Sequence, residues 1–402
     1  MQLTKEKILI IATLDSKGEE VLFLKKQLEQ NKRSVITMDI GTAGSPKFTG
    51  DITRESVASK TKVPSDSNGP AEILSAMAIG AECFVKDLVN KSSISAVVGI
   101  GGGKGAGAFH EITKDLPYGF PKMLITSARP ALLAEIATTS DTILLPSIVD
   151  LMGINEFTHK IFVNAANMLS ELSWTKEIKK SGKTIAITSF GVTTPAVQSI
   201  LSKLSDTNIK AIVFPANGAG GRAMESLIIK GEFDGVIDLT TTEIADLMFN
   251  GTASAGKNRL TAAAKRGIPQ IIVPGATDMV NFGPPETMPK EFFERKIYRH
   301  TPMTTLLRTN SKETEEIAYQ TAIRINKSVG PVVVIWPAKG VSDYDRPGKH
   351  FHDPIANMSW RDTMKKNLRE DIPFLEQNLH INDPKFGALC ADWMLKKLNG
   401  PL

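Results

Sequence analysis

Cysteine and long apolar runs are nearly missing from this sequence. Only Cys83 and Cys390 occur among its 402 residues, too few for a disulfide framework or a cysteine-based zinc site. No stretch approaches the roughly eighteen consecutive apolar residues of a membrane span. Residues 1–20 contain a short apolar run without the small-residue cleavage site of a signal peptide. We therefore expect no membrane contact and a cytoplasmic location.

Aromatic residues and charge of one sign are also scarce. Phe, Trp and Tyr make up 6% of the chain, and the formal net charge is +5 at pH 7. Such a chain offers few platforms on which bases could stack, and its lysine-rich stretches alternate with acidic ones. We expect no nucleic-acid partner. The mild positive excess suits a small ligand that carries phosphate or carboxylate groups.

Short, nearly continuous apolar strands alternate with helical stretches along the chain. In the first half the pattern predicts strands over 7–15, 33–40, 94–100, 122–128 and 141–147, and helices over 18–31, 71–91 and 154–182. In the second half it predicts strands over 183–190, 210–217, 234–240, 268–275 and 329–337, and helices over 193–208 and 218–233. Buried strands alternating with helices indicate parallel sheets with helices on both faces.

The pattern restarts after the long helical segment, which indicates two domains. We predict a Rossmann-like, nucleotide-binding domain over 1–182 and a second Rossmann-like domain over 183–402, whose loops hold a small ligand. The fold class is α/β, with two doubly wound domains, mainly parallel sheets and a cleft between them. In such sheets ligands bind beyond the carboxyl ends of the strands.

A run of five glycines and one lysine follows the strand predicted over 94–100. The candidate cofactor-binding residues here are Gly101, Gly102, Gly103, Lys104, Gly105 and Gly107. Backbone N–H groups of such a run, at the start of a helix, can cradle a phosphate. The alternative is a tight turn that only glycine can make. The run contains no Gly-Lys-Ser/Thr, so it is not a P-loop.

Acidic and basic residues follow the first two strands. Asp15 and Lys17 come after strand one and would face the ligand crevice, although Asp15 could equally cap the next helix. Asp39 ends strand two, where an acid often binds ribose hydroxyls in dinucleotide folds. A plain turn aspartate explains Asp39 equally well. These three residues complete the candidate cofactor site.

Polar loops follow the strands of the second half as well. The candidate ligand-binding residues are Gly220, Gly221, Arg222, Thr240, Thr241, Thr242, Glu243, Asp278 and Asn281. Arg222 adds a guanidinium to the first turn of a helix, where it can bind an anion. The threonine hydroxyls can donate to a carboxylate or phosphate, but Thr241 or Thr242 could simply cap a helix.

The loop after the last strong strand, residues 336–354, is also polar. It contains Lys339, Ser342, Asp345, His350, His352 and Asp353. The two histidines and Asp353 could hold a metal, but histidines two residues apart on a loop are more often simply solvated. No catalytic triad, nucleophile elbow or carboxylate pair stands out, so catalytic and metal-binding residues remain unassigned.

Eight segments in order closely resemble the Tm-one-like ATP-binding family, which includes uncharacterised bacterial and fungal proteins and the plant inhibitor of tobamovirus RNA replication. They are ATLDSKGEE, VVGIGGGKGAGAFHE with LPYGFPKMLITS, PSIVDLMGIN, ITSFGVTTPAV, NGAGGRAMESLI, DLTTTEIAD, IPQIIVPGATDMVNFGPPETMP and KGVSDYDRPGKHFHDP. Together they span almost the whole chain. The resemblance implies two Rossmann-like subdomains, a homodimer, and an ATP and Mg²⁺ site associated with the first subdomain.

Two stretches depart from the family pattern. The Ser-Gly turn expected after strand four is absent from residues 126–141, and Pro215 stands in place of a histidine. The leading interpretation is a nucleotide-binding protein that binds ATP and Mg²⁺ and acts on a small anionic metabolite in the interdomain cleft. The alternatives are an ATP-independent lyase, isomerase or hydrolase of a small carboxylate or sugar acid, and a non-catalytic, ATP-responsive interaction protein.

Overall fold

The computed structural model describes residues 6–62, 69–174 and 182–400, and in it the chain forms two units, Met1–Ile178 and Lys179–Leu402. The first unit is built on a five-stranded parallel sheet. Its strands are β1 (Lys7–Ala12), β2 (Val35–Asp39), β3 (Ile94–Gly101), β4 (Lys122–Thr126) and β5 (Ile143–Pro146). Its helices are α1 (Leu14–Gln30), α2 (Arg54–Ala58), α3 (Pro70–Asn90), α4 (Gly103–Thr113), α5 (Pro130–Thr139) and α6 (Glu156–Glu171).

Successive residues of β1 pack into different core layers, because neighbouring side chains of a strand point to opposite faces. Ile8 and Ile10 pack with residues of α1 and α6, whereas Leu9 and Ile11 pack with residues of α3 and α4. The strand order is β2-β1-β3-β4-β5. This is a doubly wound order in which the winding direction changes between β1 and β3.

The second unit contains a six-stranded parallel sheet and a separate three-stranded sheet. The strands of the parallel sheet are β6 (Lys183–Ser189), β7 (Ile209–Pro215), β8 (Gly235–Thr240), β9 (Gln270–Gly275), β13 (Val332–Pro337) and β14 (Phe374–Gln377). Those of the small antiparallel sheet are β10 (Met279–Phe282), β11 (Ile297–Thr301) and β12 (Thr304–Arg308). The order β14-β13-β9-β8-β6-β7 repeats the doubly wound order of the first unit, with one more strand. The predicted α/β fold class, with two doubly wound domains and mainly parallel sheets, is confirmed.

Helices cover both faces of this parallel sheet. They are α7 (Thr194–Leu204), α8 (Ala219–Ile229), α9 (Thr242–Met248), α10 (Ala262–Arg266), α11 (Ser311–Ile325), α12 (Pro354–Asn367) and α13 (Pro384–Asn399). Residues of α7 and α13 pack on one face, and residues of α9, α11 and α12 pack on the other. In the described part of the chain, none of the helices is long and apolar enough to cross a membrane.

Three local predictions differ from the structure. The helix predicted over 154–182 ends at Glu171, and the chain then places Trp174 edge-on against Phe120, 5.1 Å between ring centroids. Residues 175–181 of that prediction lie outside the described residues. The polar stretch 41–70 contains α2, which is too short to show a periodic pattern. The antiparallel sheet was not predicted; its strand β11, for example, is polar and partly exposed and so shows no apolar run.

Candidate functional site

The glycine run lies where the winding of the first sheet changes direction. α1 follows β1 onto one face of the sheet, and α4 follows β3 onto the other. β3 ends at Gly101, Gly102 is the cap residue, and α4 begins at Gly103. The carboxyl ends of β1 and β3 therefore border the crevice in which doubly wound sheets bind ligands.

The glycines of the run have different surroundings. A Cβ at Gly101 would lie 3.0 Å from the Cα of Gly105, so this position serves the tight turn. A Cβ at Gly103 or Gly107 would meet no heavy atom within 4 Å among the described residues. Lys104 is exposed in the first turn of α4, and no side chain in the described ranges caps that helix. The first backbone N–H groups of α4 thus lack intrahelical partners.

Asp15, Lys17 and Asp39 are all held by other parts of the first unit. The Lys17 ammonium donates to the backbone carbonyl of Leu151. Asp39 is buried, and its carboxylate accepts hydrogen bonds from the backbone N–H groups of residues 14 and 41 and from Arg54 Nε at 2.8 Å. Asp15 Oδ2 lies 3.9 Å from the same guanidinium. The Asp39 bond to residue 14 holds a first turn of α1 that was not predicted; Lys17 is non-helical, and the continuous helix after it begins at the predicted position.

Ser127 and Asp150 are two further polar residues beside the glycine turn. A Cβ at Gly102 would lie 3.7 Å from Ser127 Oγ, which donates to Asp150 Oδ1 at 2.9 Å. This hydrogen bond, together with one from the N–H of Leu151, lowers the pKa of Asp150 below its usual value. Sequence reasoning missed the pair, because its two residues come from loops after different strands and match no short motif.

In the second unit, Glu243 belongs to a buried charge cluster. Arg259 is fully buried and pairs with three carboxylates: Glu243 Oε2 at 2.6 Å, Asp238 Oδ1 at 2.6 Å and Glu225 Oε1 at 3.2 Å. Glu243 also accepts from the backbone N–H of Gly218 at 2.8 Å. Burial raises the pKa of Glu225, although Arg259 opposes the shift. Both oxygens of Glu243 are therefore engaged within the unit.

The second glycine loop is packed where the first is open. A Cβ at Gly220 would overlap the carbonyl oxygen of Pro215, and one at Gly221 would overlap the carboxylate of Glu243. The Arg222 guanidinium donates to the carbonyl of Ser254 at 2.7 Å. These contacts tie the start of α8 to neighbouring loops.

The three candidate threonines are buried at the end of β8 and the start of α9. Thr240 Oγ1 lies 2.7 Å from Thr193 Oγ1, and Thr241 Oγ1 donates to Val273 O at 3.0 Å. Thr242 Oγ1 lies 3.5 Å from Met279 O and accepts a long hydrogen bond from Asn281. Their hydroxyl groups are thus engaged with neighbouring parts of the unit.

Asn281 is bonded to a buried carboxyl group that sequence reasoning missed. Its Nδ2 lies 2.8 Å from Asp246 Oδ2, and Asp246 Oδ1 accepts from the backbone N–H of Ala253 at 2.9 Å. Burial raises the pKa of Asp246 to about 7, against the opposing effect of these hydrogen bonds. Asp246 lies in α9, one helical turn after Thr242, and its position in the sequence gives no sign that it is buried.

Asp278 joins two loops at the carboxyl edge of the second sheet. It is buried, its Oδ2 accepts from Ser342 Oγ at 2.7 Å, and its Oδ1 has no hydrogen-bond partner in the described ranges. Burial, and then the neighbouring Asp345 carboxylate, raise its pKa, while Arg308 opposes the rise. Arg308 also donates to backbone carbonyls on both sides, among them Phe351 O at 2.7 Å.

A cavity of about 640 Å³ opens beside the carboxyl end of β13. It is lined by the loop that follows β13, the first turns of α12 and the segment that follows β14, and it is open to solvent on one side. Gly340 makes the tight turn there with φ +126°, and a Cβ at this position would overlap the carbonyl of Asp345. The sequence pointed to this loop through Lys339 and His352 but gave no sign of His380, which also lines the cavity.

The histidines considered as metal ligands have other contacts. His350 Nε2 lies 2.7 Å from Ile297 O, and Asp353 caps α12 by accepting from the N–H of Ala356. His352 Nδ1 lies 3.8 Å from Asp345 Oδ1. Within the described residues, no cluster of three or more His, Cys, Asp or Glu could hold a metal ion.

Family models match nearly the whole chain. The N-terminal domain model of the uncharacterised protein family UPF0261 matches residues 6–177, and its C-terminal domain model matches residues 182–398. The chain is 35% identical to a UPF0261 protein of Clostridium tetani, over 98% of this chain and 99% of that protein. It is also 35% identical to one of Rhizobium meliloti, over 96% and 98% of the two chains.

A plant protein is similar over the same length of this chain. The ToMV resistance protein Tm-1(GCR237) of Solanum lycopersicum is 32% identical over 98% of this chain, which corresponds to 56% of the tomato protein. The fold defines a protein of two doubly wound α/β units with polar loops at the carboxyl ends of their strands. The chain belongs to the Tm-one-like UPF0261 family.

Proposed function

We propose that this protein binds ATP and Mg²⁺ through its first unit and is an enzyme that acts on a small anionic metabolite. The observation that carries the proposal is the turn between β3 and α4. It combines uncapped N–H groups of the first helical turn with open space above Gly103, at the switch point of the sheet. Such N–H groups bind phosphate oxygens, and Lys104 adds a positive charge beside them.

The oxygens of Ser127 and Asp150 fit the Mg²⁺ that would accompany the phosphates. Mg²⁺ prefers a few carboxylate oxygens together with phosphate oxygens and water. Ser127 adjoins Gly102, and Asp150 is hydrogen-bonded to Ser127. Asp150 and Ser127 would hold the Mg²⁺ beside the turn, and the metal would offset the charge of the phosphates.

Isothermal titration with ATP and MgCl₂ tests the proposal. Gly103→Val places a side chain in the space that the phosphates would occupy, so we expect ATP–Mg²⁺ affinity to fall about tenfold or more while the melting temperature is unchanged. Gly191→Val is the matched control: Gly191 belongs to the second unit, and a Cβ there would likewise meet no heavy atom of the described residues within 4 Å. Asp150→Asn should weaken binding of ATP–Mg²⁺ more than binding of ATP in EDTA.

Two results would contradict nucleotide binding at this turn. The first is an absence of ATP binding by the unsubstituted protein. The second is equal affinity in the Gly103→Val and Gly191→Val variants. In that case the glycines of the first unit would serve only to form the tight turn.

An ATP-independent lyase, isomerase or hydrolase is the second candidate function. Asp278 favours it, because a buried carboxyl group with a raised pKa and one unpartnered oxygen is suited to hold a proton near neutral pH. The first of the two contradicting results above would favour this candidate.

A further inference from the structure

The cavity beside β13 has cations on its wall. Lys339, Arg346 and Arg361 line it, and no carboxylate is among the lining residues that the structure describes. Its volume of about 640 Å³ lies within the usual range of small-molecule sites. Positive charge around a concave space raises the local concentration of anions. The excess charge here comes from Lys339, since Arg346 is paired with Asp343 and Arg361 lies near Asp362 and Glu376.

The three cations keep hydrogen-bond donors that the described residues do not use. Arg346 pairs with Asp343 at 3.0 Å and Arg361 with Asp362 at 2.7 Å, in both cases through Nε. A guanidinium has five N–H donors, so the terminal groups of both arginines remain for a ligand. The Lys339 ammonium has no hydrogen-bond or ion-pair partner in the described part of the chain.

The rest of the wall is apolar or already bonded, except for His352, whose Nδ1 has no hydrogen-bond partner in the described ranges and lies 3.8 Å from Asp345 Oδ1. Trp336 is buried and stacks on Trp360 with 5.4 Å between ring centroids, which fixes its position, and Met358 lies in the first turns of α12. His380 Nε2 donates to Ser342 O at 2.9 Å, and its Nδ1 accepts from the N–H of residue 382. Burial and then Arg346 lower the pKa of His380, so this ring adds no charge of its own.

We propose that this cavity binds a small organic anion, whose carboxylate or phosphate groups contact Lys339, Arg346 and Arg361 and whose apolar body packs against Trp336 and Met358. This inference rests on the second half of the proposed function, because it assigns the small anionic ligand of the second unit to one cavity. The cavity takes the place of the loops at 218–222 and 240–243 as the site of the anion, because the polar groups of those loops are engaged within the unit. It does not involve nucleotide binding by the first unit.

Calorimetric titration of the full chain with phenyl phosphate and with benzoate tests the inference, with benzyl alcohol as the uncharged control. We expect saturable binding of at least one of the two anions and no binding of benzyl alcohol. The anion that binds more tightly shows whether the cavity prefers a phosphate or a carboxylate group. Lys339→Gln and Arg346→Gln should each weaken that binding about tenfold, the effect of losing one charge-assisted hydrogen bond. Lys366→Gln, an exposed residue of α12 outside the cavity, should leave it unchanged.

Other outcomes would overturn the inference. Binding that Arg222→Gln abolishes and Lys339→Gln spares would place the anion at the start of α8. Absence of binding by both anions, or equal binding of benzyl alcohol, would exclude an anion site in the cavity. Titrating the unsubstituted protein with ATP–Mg²⁺ as well separates the two proposals: nucleotide binding without anion binding removes only the cavity proposal, and anion binding without nucleotide binding removes only the nucleotide proposal. Arg346→Gln should lose anion affinity and keep its affinity for ATP–Mg²⁺.

Discussion

Buried carboxylates of the second unit are stabilised in two ways. Glu243 is neutralised by the fully buried Arg259, whose pKa is raised because its three carboxylate partners outweigh the cost of burial. Asp246 has no cation partner within the described residues and relies on hydrogen bonds from N–H groups. A buried charge without a counter-ion costs more than one that is paired, so the charged form of Asp246 is the costlier one to bury.

Asp246 should make stability depend on pH in the weakly acidic range. Its pKa is about 7 in the folded protein and 3.8 as a model value, so between these limits the folded state holds a proton that the unfolded state has lost. The free energy of unfolding should therefore fall as pH rises from about 4 to about 7, by up to about 1.4 kcal/mol per pH unit for one group. Asp246→Asn removes this contribution. In urea denaturation, the free energy of unfolding of the variant should therefore rise relative to that of the parent protein as pH rises.

An exposed carboxylate provides the control for Asp246. Asp392 is 59% exposed in its side chain and pairs with Lys203, and Asp392→Asn should leave the pH profile unchanged. Asn281 Oδ1 has no hydrogen-bond partner in the described ranges, so a turned amide could accept from the amide group that the Asp246→Asn substitution introduces. A constant difference between Asp246→Asn and parent from pH 4 to pH 7 would contradict this titration.

At the scale of elements, the two glycine-rich turns look alike in sequence but differ in packing. α4 and α8 both follow a strand and both begin within a glycine run. A Cβ would enter open space at Gly103, whereas at Gly220 it would overlap Pro215 O. The first turn is therefore open to a ligand, and the second brings helix and strand into close contact.

Alanine substitutions should separate these two turns. Gly220→Ala should reduce the free energy of unfolding by about 1–3 kcal/mol, because the added methyl group meets a backbone carbonyl that cannot move without displacing β7. Gly103→Ala should change stability by less, and in the favourable direction, because alanine is the better helix former. Chemical denaturation measures both. Equal losses would show that the first turn is packed as closely as the second.

At the scale of the whole molecule, two units carry the same doubly wound strand order and separate cores. One core lies on each face of the first sheet, and others lie around the second. Each unit therefore has the hydrophobic interior that an independently folding domain needs.

Differential scanning calorimetry should resolve two unfolding transitions. Gly220→Ala should lower the transition of the second unit, and ATP–Mg²⁺ should raise only the transition of the first, since a ligand stabilises the unit that it binds. Gly103→Val should remove the nucleotide-dependent shift. A single transition displaced by both changes would mean that the two units unfold together.

Much of the fold could be predicted from the sequence because most of its strands have a recognisable residue pattern. Residues 94–100 and 183–189 are rich in β-branched residues and lie between helical patterns, and they form largely buried strands in the structure. The antiparallel strands could not be predicted in this way. Residues 297–301, for example, are partly exposed and polar, and they form a strand only because β12 pairs with them.

The candidate site was predictable only in part, for a related reason. The glycine run and the loop at 336–354 were visible as polar or glycine-rich breaks after strands. Arg259 gave no such signal, since a lone arginine in a polar segment resembles a solvated one; its three carboxylate partners come from α8, β8 and α9. His380 lies 41 residues after Lys339 and reaches the same cavity only through the pairing of β13 with β14.

By itself the sequence determined the two doubly wound units and where their polar loops begin, because local apolar periodicity and glycine chemistry act over a few neighbouring residues. Only the tertiary structure decided which polar residues are engaged and which remain available. Glu243 reads as a ligand-binding acid until Arg259 is placed against it, and Gly220 reads as a phosphate turn until Pro215 closes the space. Burial and charge pairing depend on residues far apart in the chain, so no local pattern records them.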